Sequence, residues 1–182
     1  MVHLCGMKHL FAFMLIASPA FADTCPAVMD QSALQAELLE QIQTAETEAV
    51  ARPLSNAMWE IWIKAPDSAA QELLDTGTER LRIADFDAAI AAFDALVAYC
   101  PDYAEGYNQR AYAHFLRKDF APALTDLDLA IERNPVHVAA IAGKALTLMG
   151  LGRDQEAQDV LREAVALNPW LSERHLLKGT DL

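Results

Sequence analysis

AIERNP, residues 130–135, reads as the end of a helix: apolar Ala130 and Ile131, charged Glu132 and Arg133, then Asn134 and Pro135. Proline lacks an N–H and disfavours helical geometry in the residue before it, so a helix stops here. The same kind of stop stands thirty-four residues earlier, as LVAYCP at 96–101, and thirty-four later, as AVALNP at 164–169. Set in three rows beginning at Ala70, Ala104 and Val138, the chain aligns Pro101, Pro135 and Pro169. Four more columns hold the same register: Gly77, Ala111 and Ala145; Ala89, Ala123 and Ala157; Phe93, Leu127 and Leu161; Leu96, Ala130 and Ala164. One spacing is open to chance, whereas five columns in register mark an internal repeat.

Each row divides into two helices. Apolar residues recur at helical spacing in the first halves (Leu73, Gly77, Leu81; Tyr107, Ala111, Phe115; Ile141, Ala145, Leu148) and more densely in the second, as in Phe86, Ala89, Ile90, Phe93, Leu96 and Val97. Between the halves lie the short polar breaks ADF, KDF and GRD. Asp85 and Asp119 stand at N-cap positions, and Pro122 falls in a first turn, where a missing N–H is harmless. The small columns mark places where helix backbones approach closely.

These rows resemble the tetratricopeptide repeat family over residues 70–169, in repeat length, small positions and terminal proline. The resemblance implies an all-α fold, a right-handed superhelical stack of antiparallel helix pairs. The expected units are repeats at 70–103, 104–137 and 138–171, an N-terminal helical capping region at 23–66 and a short closing helix at 172–182. It also implies a concave groove for a protein or peptide partner. The groove residues carried over are Leu74, Thr78 and Leu81; Glu105, Asn108, Tyr112 and Phe115; and Ala142, Leu146 and Met149. This set is more apolar and aromatic than charged. The members that clamp an acidic C-terminal tail use Lys and Asn, of which only Asn108 is present, so an apolar or amphipathic segment suits the groove better. The family's usual apolar residue three places after the first aromatic is Thr76, Arg110 and Lys144 here, whose stems are expected along apolar surface with their tips in water.

The flanks read as helical too. Residues 28–50 place Leu34, Leu38, Ile42, Ala45 and Ala49 on one face, Arg52-Pro53 interrupts, and SNAMWEIWIKAP (55–66) restarts from Ser55 as N-cap. This pair is expected to cover the open end of the stack, as solenoid ends require. The alternative is a recognition helix: Trp59 and Trp62, or the acidic face, would serve an inhibitor or accessory subunit of an exported enzyme.

Composition narrows the function. A net charge of −12 disfavours nucleic acid, whose phosphates need clustered Lys and Arg, and disfavours an anionic membrane surface. The run LFAFMLIA (10–17) follows Lys8 and His9 and leads to Ala20-Phe21-Ala22, the pattern of a secretory signal peptide over 1–22. Export to a bacterial periplasm is therefore expected, with no stable membrane insertion after cleavage. In that oxidising setting Cys25 and Cys100 either bridge each other or stand apart; a bridge would tie the mature N-terminus to the LVAYCP turn. His114, His137 and His175 occupy three different repeat positions with no metal-binding spacing, and no phosphate loop occurs. No catalytic residue, metal or cofactor is expected, and the working part is a protein-binding scaffold.

Overall fold

A computed structural model describes residues 24–179. The proposed signal peptide, residues 1–22, lies outside them. Eight α-helices follow one another: α1 (Ser32–Thr44), α2 (Glu48–Trp62), α3 (Ser68–Arg82), α4 (Phe86–Tyr99), α5 (Ala104–Leu116), α6 (Phe120–Arg133), α7 (Val138–Gly150) and α8 (Asp154–Leu167). The closing segment is a short 3₁₀ helix, Ser172–Leu176, and residues 180–182 of the expected closing helix lie outside the described residues. No strand occurs among the described residues. Helices α3/α4, α5/α6 and α7/α8 form three antiparallel hairpins, and α4 on α5 and α6 on α7 join them into a stack.

The repeat columns are the core of this stack. All twelve residues of the four non-proline columns are buried. Gly77 packs under the ring of Phe93, which leaves no room for a methyl: a Cβ built there would come within 2.2 Å of the ring. The later rows pair Ala111 with Leu127 in one buried cluster and bury Ala145 and Leu161, trading ring volume for a methyl. Each fully buried side chain of this size contributes about 1.5–3 kcal/mol.

The polar breaks turn the chain through one left-handed residue per repeat. Ala84, Lys118 and Gly152, thirty-four apart, have φ of 58°, 64° and 71°. After this residue Asp85 accepts from the Ala88 amide at 3.4 Å, as an N-cap does. Asp119 makes no such bond and instead pairs with Arg117 at 3.1 Å. In the polar column Thr76 is exposed, whereas Arg110 and Lys144 are more embedded than snorkelling implies. Arg110 holds Asp126 through two bonds of 2.6 and 2.8 Å and reaches Asp94 on the preceding repeat at 2.7 Å. Asp126, which on its sequence setting is an exposed helix residue, is buried by this pairing. These bonds, above all those to Asp126, hold the guanidinium protonated beyond its already high ordinary value. Lys144 repeats the rung with Asp128 at 2.6 Å.

The N-terminal pair differs most from expectation. The interruption falls at residues 45–47, where Thr47 caps α2 by accepting from Val50. Pro53 lies inside α2, and Ser55 is mid-helix, its Oγ accepting from Asn168 Nδ2 at 3.3 Å. The hairpin does not sit over the free face of the first repeat. It doubles back along the inner side of the stack, where Leu38, Leu39, Met58 and Trp62 pack with Val138, Leu167 and Leu171. The physical reason lies in the apolar N-terminal ends of the inner helices, which would otherwise stay wet. Polar contacts fix the placement: Gln43 Nε2 donates to the Ala166 carbonyl at 3.1 Å, and Arg174 pairs with Glu48 at 3.1 Å. Cys25 and Cys100 are joined by a disulfide that pins the extended segment before α1 to the turn after α4.

Candidate partner-binding groove

α2 runs along the stack from the third repeat towards the first. Ser55 lies at Asn168, Met58 at Val138, and the Trp62 carbonyl accepts from the Tyr103 hydroxyl at 2.7 Å. Trp62 anchors this course. Its indole stacks on His137 at 4.1 Å and 17°, and Nε1 donates to Gln35 Oε1 at 3.1 Å, an oxygen that also accepts from Asn134. The recognition-helix alternative therefore loses Trp62, which is buried, and retains Trp59, which is 38% exposed.

Beneath Trp62 lies a buried polar knot that includes Glu105 and Asn108, two of the residues expected in the groove. Glu105 is only 1% exposed. Its carboxylate accepts from Asn108 Nδ2 at 3.0 Å and Gln109 Nε2 at 2.6 Å, and it meets His137 Nε2 at 2.8 Å. Because His137 Nδ1 accepts from the Ala140 amide, the ring proton sits on Nε2 and points at Glu105. Both carboxylate oxygens thereby accept hydrogen bonds, which offsets the cost of burying the group. The nearby Tyr103 hydroxyl is pushed well above its ordinary pKa, first by burial and then by the charge of Glu105.

The remaining inner surface is an apolar groove of about 530 Å³. Of the ten residues carried over from the repeat pattern, Thr78, Leu81, Asn108, Tyr112, Phe115 and Leu146 line it. The other four do not. Leu74 is in the first core cluster, Ala142 packs with Ala164 and Ile141, Glu105 belongs to the knot, and Met149 lies off the lining. Asn108 reaches the groove with its side-chain amide already committed to Glu105. Trp59, Arg82, Gln109 and Leu116 also line it, Arg82 being its one charged residue, with Ala139, Gly143 and Thr147 among the floor residues. The pattern missed Trp59 because α2 lies outside the repeat register. Its sequence signal was its spacing beside Trp62 on one short helix. Tyr112 and Leu116 are 51% and 36% exposed, an aromatic and an aliphatic edge open to water. The Thr147 hydroxyl is buried without a hydrogen-bond partner.

Comparison with known proteins agrees with this architecture. A family model described as tetratricopeptide repeat matches residues 138–169. Tetratricopeptide repeat protein 36 of Xenopus tropicalis is 33% identical over 114 residues, covering 59% of this chain and 55% of that protein. A tetratricopeptide repeat-containing protein of Rhizobium etli is 24% identical over 119 residues, covering 65% and 58%. The chain thus spans little more than half the length of these curated relatives. Among solved structures, the first such domain of Spaghetti (RPAP3), bound to the HSP90 peptide SRMEEVD, superposes with a TM-score of 0.57 at 26% identity. That match covers 59% of this chain and 86% of that one. Three hairpins stand in register, the third is matched as a tetratricopeptide repeat, and the chain shares the fold of solved tetratricopeptide repeat domains.

Proposed function

We propose that this protein is a non-catalytic interaction module of the bacterial periplasm, whose open groove holds an apolar or amphipathic segment of an envelope partner in an adaptor or assembly role. The observation that carries this reading is the exposed Tyr112 and Leu116 edge over an apolar floor, left uncovered beside α2. Exposed aromatic and aliphatic groups around a preformed concavity are the usual anchors of such binding. The Spaghetti domain binds an acidic peptide, but here the groove's Asn108 is spent on Glu105 and the chain itself carries −12, so an acidic tail is disfavoured. The disulfide supports an oxidising compartment.

Tyr112→Ala with Leu116→Ala tests the site, since both side chains are exposed and their loss should leave the helical signal intact. Cross-linking in envelope fractions, followed by purification, should recover a specific partner with the native chain and lose it with the pair of substitutions. An unchanged set of cross-linked proteins would overturn the groove reading. N-terminal sequencing of the protein from the periplasmic fraction should begin at Asp23; an intact leader would overturn the export reading.

A further inference from the structure

The segment before α1 is held to the protein at its far end by one covalent bond. Pro26–Asp30 is extended and exposed, and its hydrogen bonding stays local, Asp30 accepting from the Ser32 amide at 2.9 Å. Among the described residues no hydrogen bond or ion pair joins Pro26–Asp30 to the body of the stack. The anchor is the Cys25–Cys100 disulfide, whose two sulfurs are unequally placed. Cys100 is 1% exposed within the first core cluster, whereas Cys25 lies partly exposed against the edge of that cluster.

This strap walls a second cleft, of about 590 Å³, which shares no residue with the groove. Val28 and Met29 stand on one side of it, and Trp62, Tyr103, Glu105 and His137 on the other. The far side holds its place without the strap. Leu38, Met58 and Trp62 seat the α1/α2 hairpin against Val138, and Gln43 ties it to the Ala166 carbonyl. Breaking the disulfide therefore loosens the strap and leaves the helices where they are, because a segment with few buried contacts opens on its own.

We propose that Cys25–Cys100 is a redox latch: exchange with a dithiol frees the strap and opens the cleft over Trp62, and reoxidation closes it. A thiolate of the dithiol attacks the accessible Cys25 Sγ, the bond to Cys100 breaks, and Cys100 leaves as a thiolate that takes up a proton. The second thiol of the dithiol then displaces Cys25, which is protonated in turn. Two electrons and two protons pass to the protein, and the dithiol becomes a disulfide. Closure is favoured by the tether. Only residues 26–31 separate Cys25 from α1, so the freed thiol stays near Cys100 at an effective concentration on the order of millimolar.

The isotopically labelled mature chain tests the latch. A small dithiol is added under native conditions, and reduction is verified as a mass gain of two hydrogens. Backbone order parameters of Val28 and Met29 should fall below about 0.6 while the helical signal stays constant. Relaxation enhancement by a soluble gadolinium chelate should rise at least about twofold at the Trp62 indole N–H and the Val136 amide, which face the cleft, and not at the core amide of Leu127. Removal of the dithiol and air oxidation should restore the first values, and Cys25→Ser should give the open values with no dithiol. A bond that resists the dithiol, a reduced protein whose strap and cleft values do not move, or a helical signal lost with the bond would each overturn the latch.

Discussion

Gly77 and Phe93 show how one position in the repeat is settled by its partner. A ring replaces the leucine found in the other two rows, and the facing residue shrinks to glycine. Alanine is the better helix former by about 1 kcal/mol, yet Gly77→Ala is expected to destabilise by about 1–3 kcal/mol because the new methyl collides with the ring. Adding Phe93→Leu should recover most of that loss by recreating the Ala–Leu pairing of the second row, and denaturant melts of the two single variants and the double variant measure it. The left-handed turn residues make the opposite case. Ala84 and Lys118 hold positive φ where the third row has Gly152, so Ala84→Gly and Lys118→Gly should each stabilise by about 0.5–1 kcal/mol in the same assay. These positions were legible in the sequence only in part: the polar breaks marked the turns, but nothing short of the backbone showed which residue goes left-handed.

At the scale of elements, adjacent hairpins are joined by side-chain rungs as well as by apolar contact. Arg110 of α5 takes a buried carboxylate from its own hairpin and an exposed one from the hairpin before. The two partners should differ sharply on removal. Asp126→Ala leaves a largely buried guanidinium without its bidentate partner and is expected to cost about 3 kcal/mol. Asp94→Ala removes an exposed bond and is expected to cost under about 1 kcal/mol. Thermal melts of the two variants check the ordering. Helix boundaries in the repeats were readable because apolar spacing, breaks and prolines all agree there. The break expected at Arg52-Pro53 does not end a helix, because Thr47 supplies a cap six residues before Pro53 and α2 continues through the proline.

For the whole molecule, the repeat register announced the stack, while the placement of α1 and α2 was not legible. Their amphipathic faces showed that they must be buried somewhere; whether over the end of the stack or along its inner side depends on contacts more than a hundred residues apart, such as Gln43 with Ala166. For the same reason the repeat pattern put Glu105 in the groove, since nothing local reveals that His137, from the next hairpin, meets it under Trp62. The disulfide adds a covalent constraint between the start of the described chain and the first repeat. It closes a 75-residue separation, so a Cys25→Ser, Cys100→Ser variant should lose up to about 4.5 kcal/mol on the chain-entropy account, read as a lowered denaturation midpoint. The claim on which the groove, its near wall and its proposed occupant all depend is that α2 lies on the inner side against the third repeat. Nuclear Overhauser contacts between the Trp62 indole and the His137 imidazole report it directly. Strong ring-to-ring contacts are predicted from their 4.1 Å stacking; their absence, with the indole instead contacting the outer face of α3 and α4, would contradict the account.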